Sequence, residues 1–153
     1  MLYTFLIYIH VISAIGSIGP LFVLLVLLSR MRKIDTGEWN GYVQSLQGSI
    51  DVVKHAGHAV VISGILLILF GSWSFAHSWV VLTLILLVAS LVFLARAFKP
   101  TMQTYGSDMF NKKHFIFTLQ KNTWIYITLL LMITALMVFK PIIWWSRWSN
   151  TLP

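Results

Sequence analysis

The chain has 153 residues, of which 58% are hydrophobic and only 10% carry a charge. Soluble proteins average about 45–50% apolar and about 25% charged residues, so this composition excludes a soluble globular domain. The net charge of +7 does not indicate nucleic acid, because the basic residues lie between apolar runs, and the lack of cysteine excludes disulfides, thiolate catalysis and covalently attached haem.

Four apolar stretches follow one another along the chain, and a spanning helix needs about 20 mostly apolar residues. We expect spans at about 2–28, 51–71, 79–98 and 122–140. The first has no preceding basic region and is too long for a cleaved signal, so we expect it to be retained. These features predict an all-α fold, a four-helix transmembrane bundle with the whole chain as one domain.

The distribution of lysine and arginine predicts the orientation of the spans. Loops rich in these residues stay in the cytoplasm, so we expect two cytoplasmic loops and both termini outside. Tryptophans at 73–79 and 144–148 lie near the opposite edge, where such rings favour the headgroup level. The basic residues on the loop side are Arg30, Arg32, Lys33, Lys54, Arg96, Lys99, Lys112, Lys113 and Lys121, whereas Lys140 and Arg147 fall on the other side.

Both long loops carry a pattern of their own. The segment EWNGYVQSLQGSIDVV, residues 38–53, can continue the second span as a helix below the membrane. The segment DMFNKKHFIFTLQKN, residues 108–122, mixes phenylalanine with lysine, which is typical of a segment on the inner leaflet.

His10 stands inside the first span, in the stretch FLIYIHVISAIGSIGP. Ionisable side chains within membrane helices are rare and usually face the bundle interior. The ring is either a neutral histidine bonded to a carbonyl or serine, a cofactor ligand (most simply of haem iron), or part of a proton relay. Ser13, Ala14 and Ser17 share its helical face, and small residues either allow tight packing or leave room for a flat ligand.

His55 and His58 are three residues apart at the inner end of the second span, so they share one helical face. We expect them either to ligate a metal ion or haem, or to form a ring of polar side chains at the level of the lipid headgroups. His58 is expected to lie about 12 Å deeper than His10, so one haem between them requires helix tilt or a lower first span. Met132 on the fourth span is a second candidate axial partner for His10.

Several quoted segments together resemble a family of small four-helix membrane proteins without assigned function. They are LIYIHVISAIGSIGPLFVLL, SRMRK, VVISGILLILFG and LMVFKP. That family is grouped with HemJ-type protoporphyrinogen oxidases and with the membrane domain of CopD-type copper-resistance proteins. The resemblance extends to about Pro141 and implies a haem b or copper role in which His10 matches the first-span histidine. HemJ-type first spans tend to carry a charged residue just before that histidine, whereas LIYIH has none.

The leading prediction is a haem b-binding protein of the bacterial cytoplasmic membrane, used in electron transfer, haem handling or support of a respiratory oxidase. His10 and His58 are the expected axial ligands of the haem iron, and His55 is the alternative ligand. The alternatives are a HemJ-like porphyrinogen oxidase, a copper-handling protein, and a cofactor-free subunit of a homo-oligomer or of another membrane protein. The sequence contains no Ser–His–Asp set, no glycine-rich phosphate loop and no paired carboxylates, so it does not indicate a hydrolase.

Overall fold

The computed structural model describes residues 1–71, 78–108 and 110–139. All four of its α-helices are long and apolar enough to cross a membrane, so the predicted all-α four-helix membrane bundle is confirmed. The predicted features at Trp73, Lys140 and 141–153 lie outside the described residues. The helices are α1 (Leu2–Met31), α2 (Trp39–Phe70), α3 (Ser78–Gln103) and α4 (Lys112–Phe139), with a short 3₁₀ turn (Thr36–Glu38) before α2.

The helices are longer than the predicted spans at one end of the bundle. We call this the inner end: α1 and α3 finish there, and α2 and α4 begin there. The predicted helical continuation of the second span is confirmed, because α2 begins at Trp39. The segment expected on the inner leaflet instead supplies the first turns of α4, which runs without interruption from Lys112 into the span.

The helices pack in two pairs, α1 against α2 and α3 against α4, and α1 also meets α4. The interface between α2 and α3 is the sparsest of the four. The helices approach closely at Gly57, where an added Cβ would come within 3.2 Å of Leu91 Cδ2. On either side of this contact the α2–α3 interface opens into a cavity or groove.

An aromatic cluster holds the inner end together. Trp39 is fully buried, and its ring meets Phe110 edge-on at 5.6 Å between centroids and Phe115 at 6.0 Å. The ammonium of Lys112 lies 5.5 Å from the centre of the Trp39 ring and donates a hydrogen bond to the carbonyl of Ile34. Edge-to-face ring pairs and a cation over an indole are both attractive. The cluster therefore joins the α1–α2 connection to the start of α4.

Polar side chains add to this joint. A guanidinium nitrogen of Arg32, at the end of α1, donates to Gln120 Oε1 on α4 at 2.8 Å. Asn122 Nδ2, also on α4, donates to the carbonyl of Ala97 on α3 at 2.9 Å. The two bonds fix the positions of α1 and α3 along α4.

Candidate ligand site at His10

A hydrogen bond to Ser63 holds the His10 ring against α2. Its Nδ1 lies 2.9 Å from Ser63 Oγ on α2. The single hydroxyl proton of Ser63 is directed at backbone carbonyls of its own helix, those of Ala59 at 2.6 Å and Val60 at 3.1 Å. This arrangement favours the tautomer in which Nδ1 carries the proton and donates to Ser63, with the lone pair on Nε2.

Gly64 gives the imidazole its place against α2. A Cβ on Gly64 would lie 3.3 Å from His10 Cε1 and 3.7 Å from Nδ1. The backbone of Val60 on α2 also forms a hydrogen bond with the imidazole. The two glycines that lie seven residues apart on α2 thus serve different contacts, since Gly57 meets Leu91 and Gly64 meets the histidine.

A cavity of about 310 Å³ adjoins His10 in the outer half of the α2–α3 interface, and we call it the outer cavity. Ligand pockets in proteins have about 300–1,000 Å³ and mainly apolar walls with a few polar groups. All four helices contribute, so this space forms only in the complete bundle. Its lining comprises His10, Tyr3, Ile7, Gly64, Leu67, Ile68, Trp79, Val80, Thr83, Leu84, Leu87 and Met137.

A second cavity, the central cavity, lies inward of His10 and has a volume of about 40 Å³. Its walls are mainly apolar and include the hydroxyl-bearing residues Ser17, Ser90, Tyr126 and Thr134. Ser17 Oγ is buried without a hydrogen bond to any described residue. A volume of this size accommodates water, which needs two or more polar partners. His10 therefore borders both the outer cavity and a small central cavity that can hold water.

Met137 is the methionine that lines the cavities next to His10. Met132, the candidate second partner of His10, is 50% exposed on the bundle surface and lines neither of the two cavities at His10. Met137 lines both the outer and the central cavity together with His10. The buried residues Tyr126, Leu130 and Ile133 continue to Met137 at helical spacing. The sequence of α4 is apolar on all its faces, so hydropathy alone does not distinguish Met137 from Met132.

His58 faces a different space. Its Nδ1 lies 2.7 Å from the carbonyl of Lys54 on its own helix, and the side chain is exposed at the inner part of the α2–α3 interface. His55 is also exposed and lines neither the outer cavity nor the space at His58. Each of these two histidines therefore points away from the centre of the bundle.

The structure does not bring His10 and His58 to one cavity. His10 meets α2 at Ser63 and Gly64, five and six residues beyond His58, which is about 8 Å along a helix. The contact of Gly57 with Leu91 lies near the level of His58, and the two histidines line different cavities on the α2–α3 interface.

In the part of the chain that the structure describes, no three His, Asp or Glu side chains form a group that could hold a metal ion. Any metal at His10 would use that imidazole with donors of other kinds, such as the Met137 thioether. No family model matches the chain, and neither a curated protein nor a solved structure does. The resemblance to HemJ-type and CopD-type proteins therefore stays a prediction.

Proposed function

We propose that the chain binds haem b in the outer half of the membrane, with His10 as an axial ligand of the iron. One observation carries the proposal: His10 Nδ1 lies 2.9 Å from Ser63 Oγ, and the ring borders an apolar cavity of about 310 Å³. A histidine that ligates a metal typically donates its other ring N–H to a protein acceptor, which fixes the ring and raises its basicity.

The side chains that line the outer cavity are of the kinds that surround a porphyrin in haem proteins. They are mainly aliphatic and aromatic, and Met137 brings a thioether that can serve as a second axial ligand. The cavity volume is near the lower limit for ligand pockets. Of the four packed helix pairs, α2 and α3 contact each other least, so these two walls constrain each other less than those of the other three pairs.

A bound haem would supply one-electron redox chemistry. The chain itself would hold the iron through His10, orient that ring through Ser63 and exclude water with its apolar walls. In the bacterial cytoplasmic membrane, such a site serves electron transfer, haem handling or the support of a respiratory oxidase.

Titration of the detergent-purified protein with ferric haem b, and separately with iron-free protoporphyrin, tests the proposal. We expect a saturable shift of the Soret band with haem and affinity at least about tenfold lower for the iron-free ring, because ligation requires the metal. A HemJ-like oxidase, whose substrate is an iron-free porphyrinogen, would bind both. Equal affinities, or no Soret shift with haem, would contradict ligation at His10.

Gly64→Ala is expected to weaken haem binding about tenfold, because the added methyl group would lie 3.3 Å from His10 Cε1 and displace the ligand ring. Gly48→Ala is the matched control on the same helix, since nothing lies within 4 Å of a Cβ at that position. The control should bind haem normally and gain up to about 1 kcal/mol of stability from helix propensity. Equal haem affinities in the two variants would show that the ring's contact with α2 is irrelevant to binding.

Binding of Cu(I) is the second candidate, and the shared lining of His10 and Met137 favours it. Thioether ligands select Cu(I), and imidazole also suits copper. Metal analysis of the protein purified from copper-supplemented cells separates the candidates. Stoichiometric copper that is lost in Met137→Leu, together with no Soret shift on haem addition, would favour copper.

A further inference from the structure

A groove opens along the inner half of the α2–α3 interface, on the other side of the Gly57–Leu91 contact from the outer cavity. We call it the inner groove, and its volume is about 660 Å³. It forms because α2 and α3 pack so sparsely there. Its lining comprises Gln47, Ile50, Asp51, Lys54, His58, Leu91, Leu94, Ala95, Phe98, Lys99, Met102 and Gln103.

The inner groove has a basic mouth. Lys54 on α2 and Lys99 on α3 face it from opposite sides, with Asp51 as its only carboxylate among the lining residues. Neither ammonium group forms an ion pair or a hydrogen bond with any residue that the structure describes. Two cations from different helices are thus available to one ligand.

The α3 wall of the groove is apolar on the side of Lys99 that lies farther from the inner end. On α3, Leu91, Leu94 and Phe98 precede Lys99 and lie farther from the inner end, and Leu94 and Phe98 are 5% and 1% exposed. Along α3 the wall therefore changes from a cation near the inner end to hydrocarbon-like side chains deeper in the span, while His58 lies one turn deeper than Lys54 on α2. A phospholipid of the inner leaflet has the same order of headgroup and acyl chain.

We propose that the inner groove binds an anionic phospholipid of the inner leaflet, with its phosphate between Lys54 and Lys99. One acyl chain lies along the α3 wall and fills the gap that α2 and α3 leave between them. Excess basic charge at the mouth selects an anionic headgroup over a zwitterionic one. This site is separate from the outer cavity, so it does not depend on haem binding.

Native mass spectrometry of the detergent-purified chain tests the site, with dioleoyl phosphatidylglycerol and dioleoyl phosphatidylcholine as probes. We expect one preferentially retained phosphatidylglycerol per chain, and about thirty-fold weaker retention in the double variant Lys54→Gln/Lys99→Gln, which removes two headgroup attractions. The matched control is Lys33→Gln/Lys121→Gln, which removes the same charge from two exposed lysines outside the groove. That control should lose no more than about threefold.

Two further experiments test whether binding requires the acyl chain as well as the headgroup. Ala95→Trp fills the groove without changing its charge, because Ala95 lines the groove, and should also abolish retention. Glycerol phosphate, which has no acyl chain, should not displace the lipid at equal concentration. Equal retention of the two lipids, equal losses in the two double variants, or displacement by glycerol phosphate would overturn the proposal. Should Ala95→Trp fail to fold, the two lysine variants decide alone, because all four lysines are exposed.

Discussion

Replacing His10 by alanine is expected to remove the Soret shift that haem b produces in the unaltered protein. The affinity should fall more than about a hundredfold, because partners that only orient a ligand already contribute about 10–100-fold. The variant should still fold, since His10 is only partly buried and Ser63 keeps its bonds to its own helix. The measurement is a haem titration followed by absorption spectroscopy, with helical content checked by circular dichroism.

Added imidazole tests whether the missing ligand alone accounts for the loss of haem binding in His10→Ala. The alanine variant leaves a space beside Gly64 that imidazole can enter, so millimolar imidazole should restore the Soret shift. His58→Ala and His55→Ala are the matched controls and should bind haem like the unaltered chain, because neither side chain lines the outer cavity. Retention of a normal Soret band by His10→Ala without imidazole would show that another residue ligates the iron.

Trp39→Ala is expected to lower the free energy of unfolding by about 3–5 kcal/mol, the usual cost of truncating a buried tryptophan. The ring is fully buried and touches Phe110, Phe115 and the ammonium of Lys112. Its Nε1 has no hydrogen-bond partner among the described residues. The loss is therefore one of packing, and Trp39→Phe should recover most of it.

Denaturant titration in detergent, followed by circular dichroism, measures this loss. Trp124→Ala on α4 is the matched control, because that tryptophan is 52% exposed, and it should change stability far less. Equal losses in Trp39→Ala and Trp124→Ala would show that the aromatic cluster does not stabilise the inner end.

The number and type of helices could be predicted because bilayer thickness sets a length that apolar runs either reach or miss. The position of His10 inside α1 followed directly. Its partner did not: α1 is apolar on all its faces, so hydropathy carries no information about which face meets Ser63 and Gly64. Only the rotation of α1 against α2 decides that contact.

The pairing of His10 with His58 illustrates a second limit. Depth along a helix can be counted from the sequence, and the expected difference of about 12 Å compares with about 8 Å in the structure. Which cavity each ring enters depends on the close contact of Gly57 with Leu91, a long-range contact between helices. The contacts of Phe110 and Phe115 could not be predicted for the same reason, because their partner Trp39 lies more than seventy residues away in the chain.

The most direct measurement is a haem titration of a variant in which His10 is the sole histidine. It carries glutamine at the four other histidine positions, His55, His58, His77 and His114. Ligation by His10 predicts the same Soret shift and an affinity within about threefold of the unaltered chain. Loss of the shift in this variant, with helical content unchanged, would contradict a haem site built on His10.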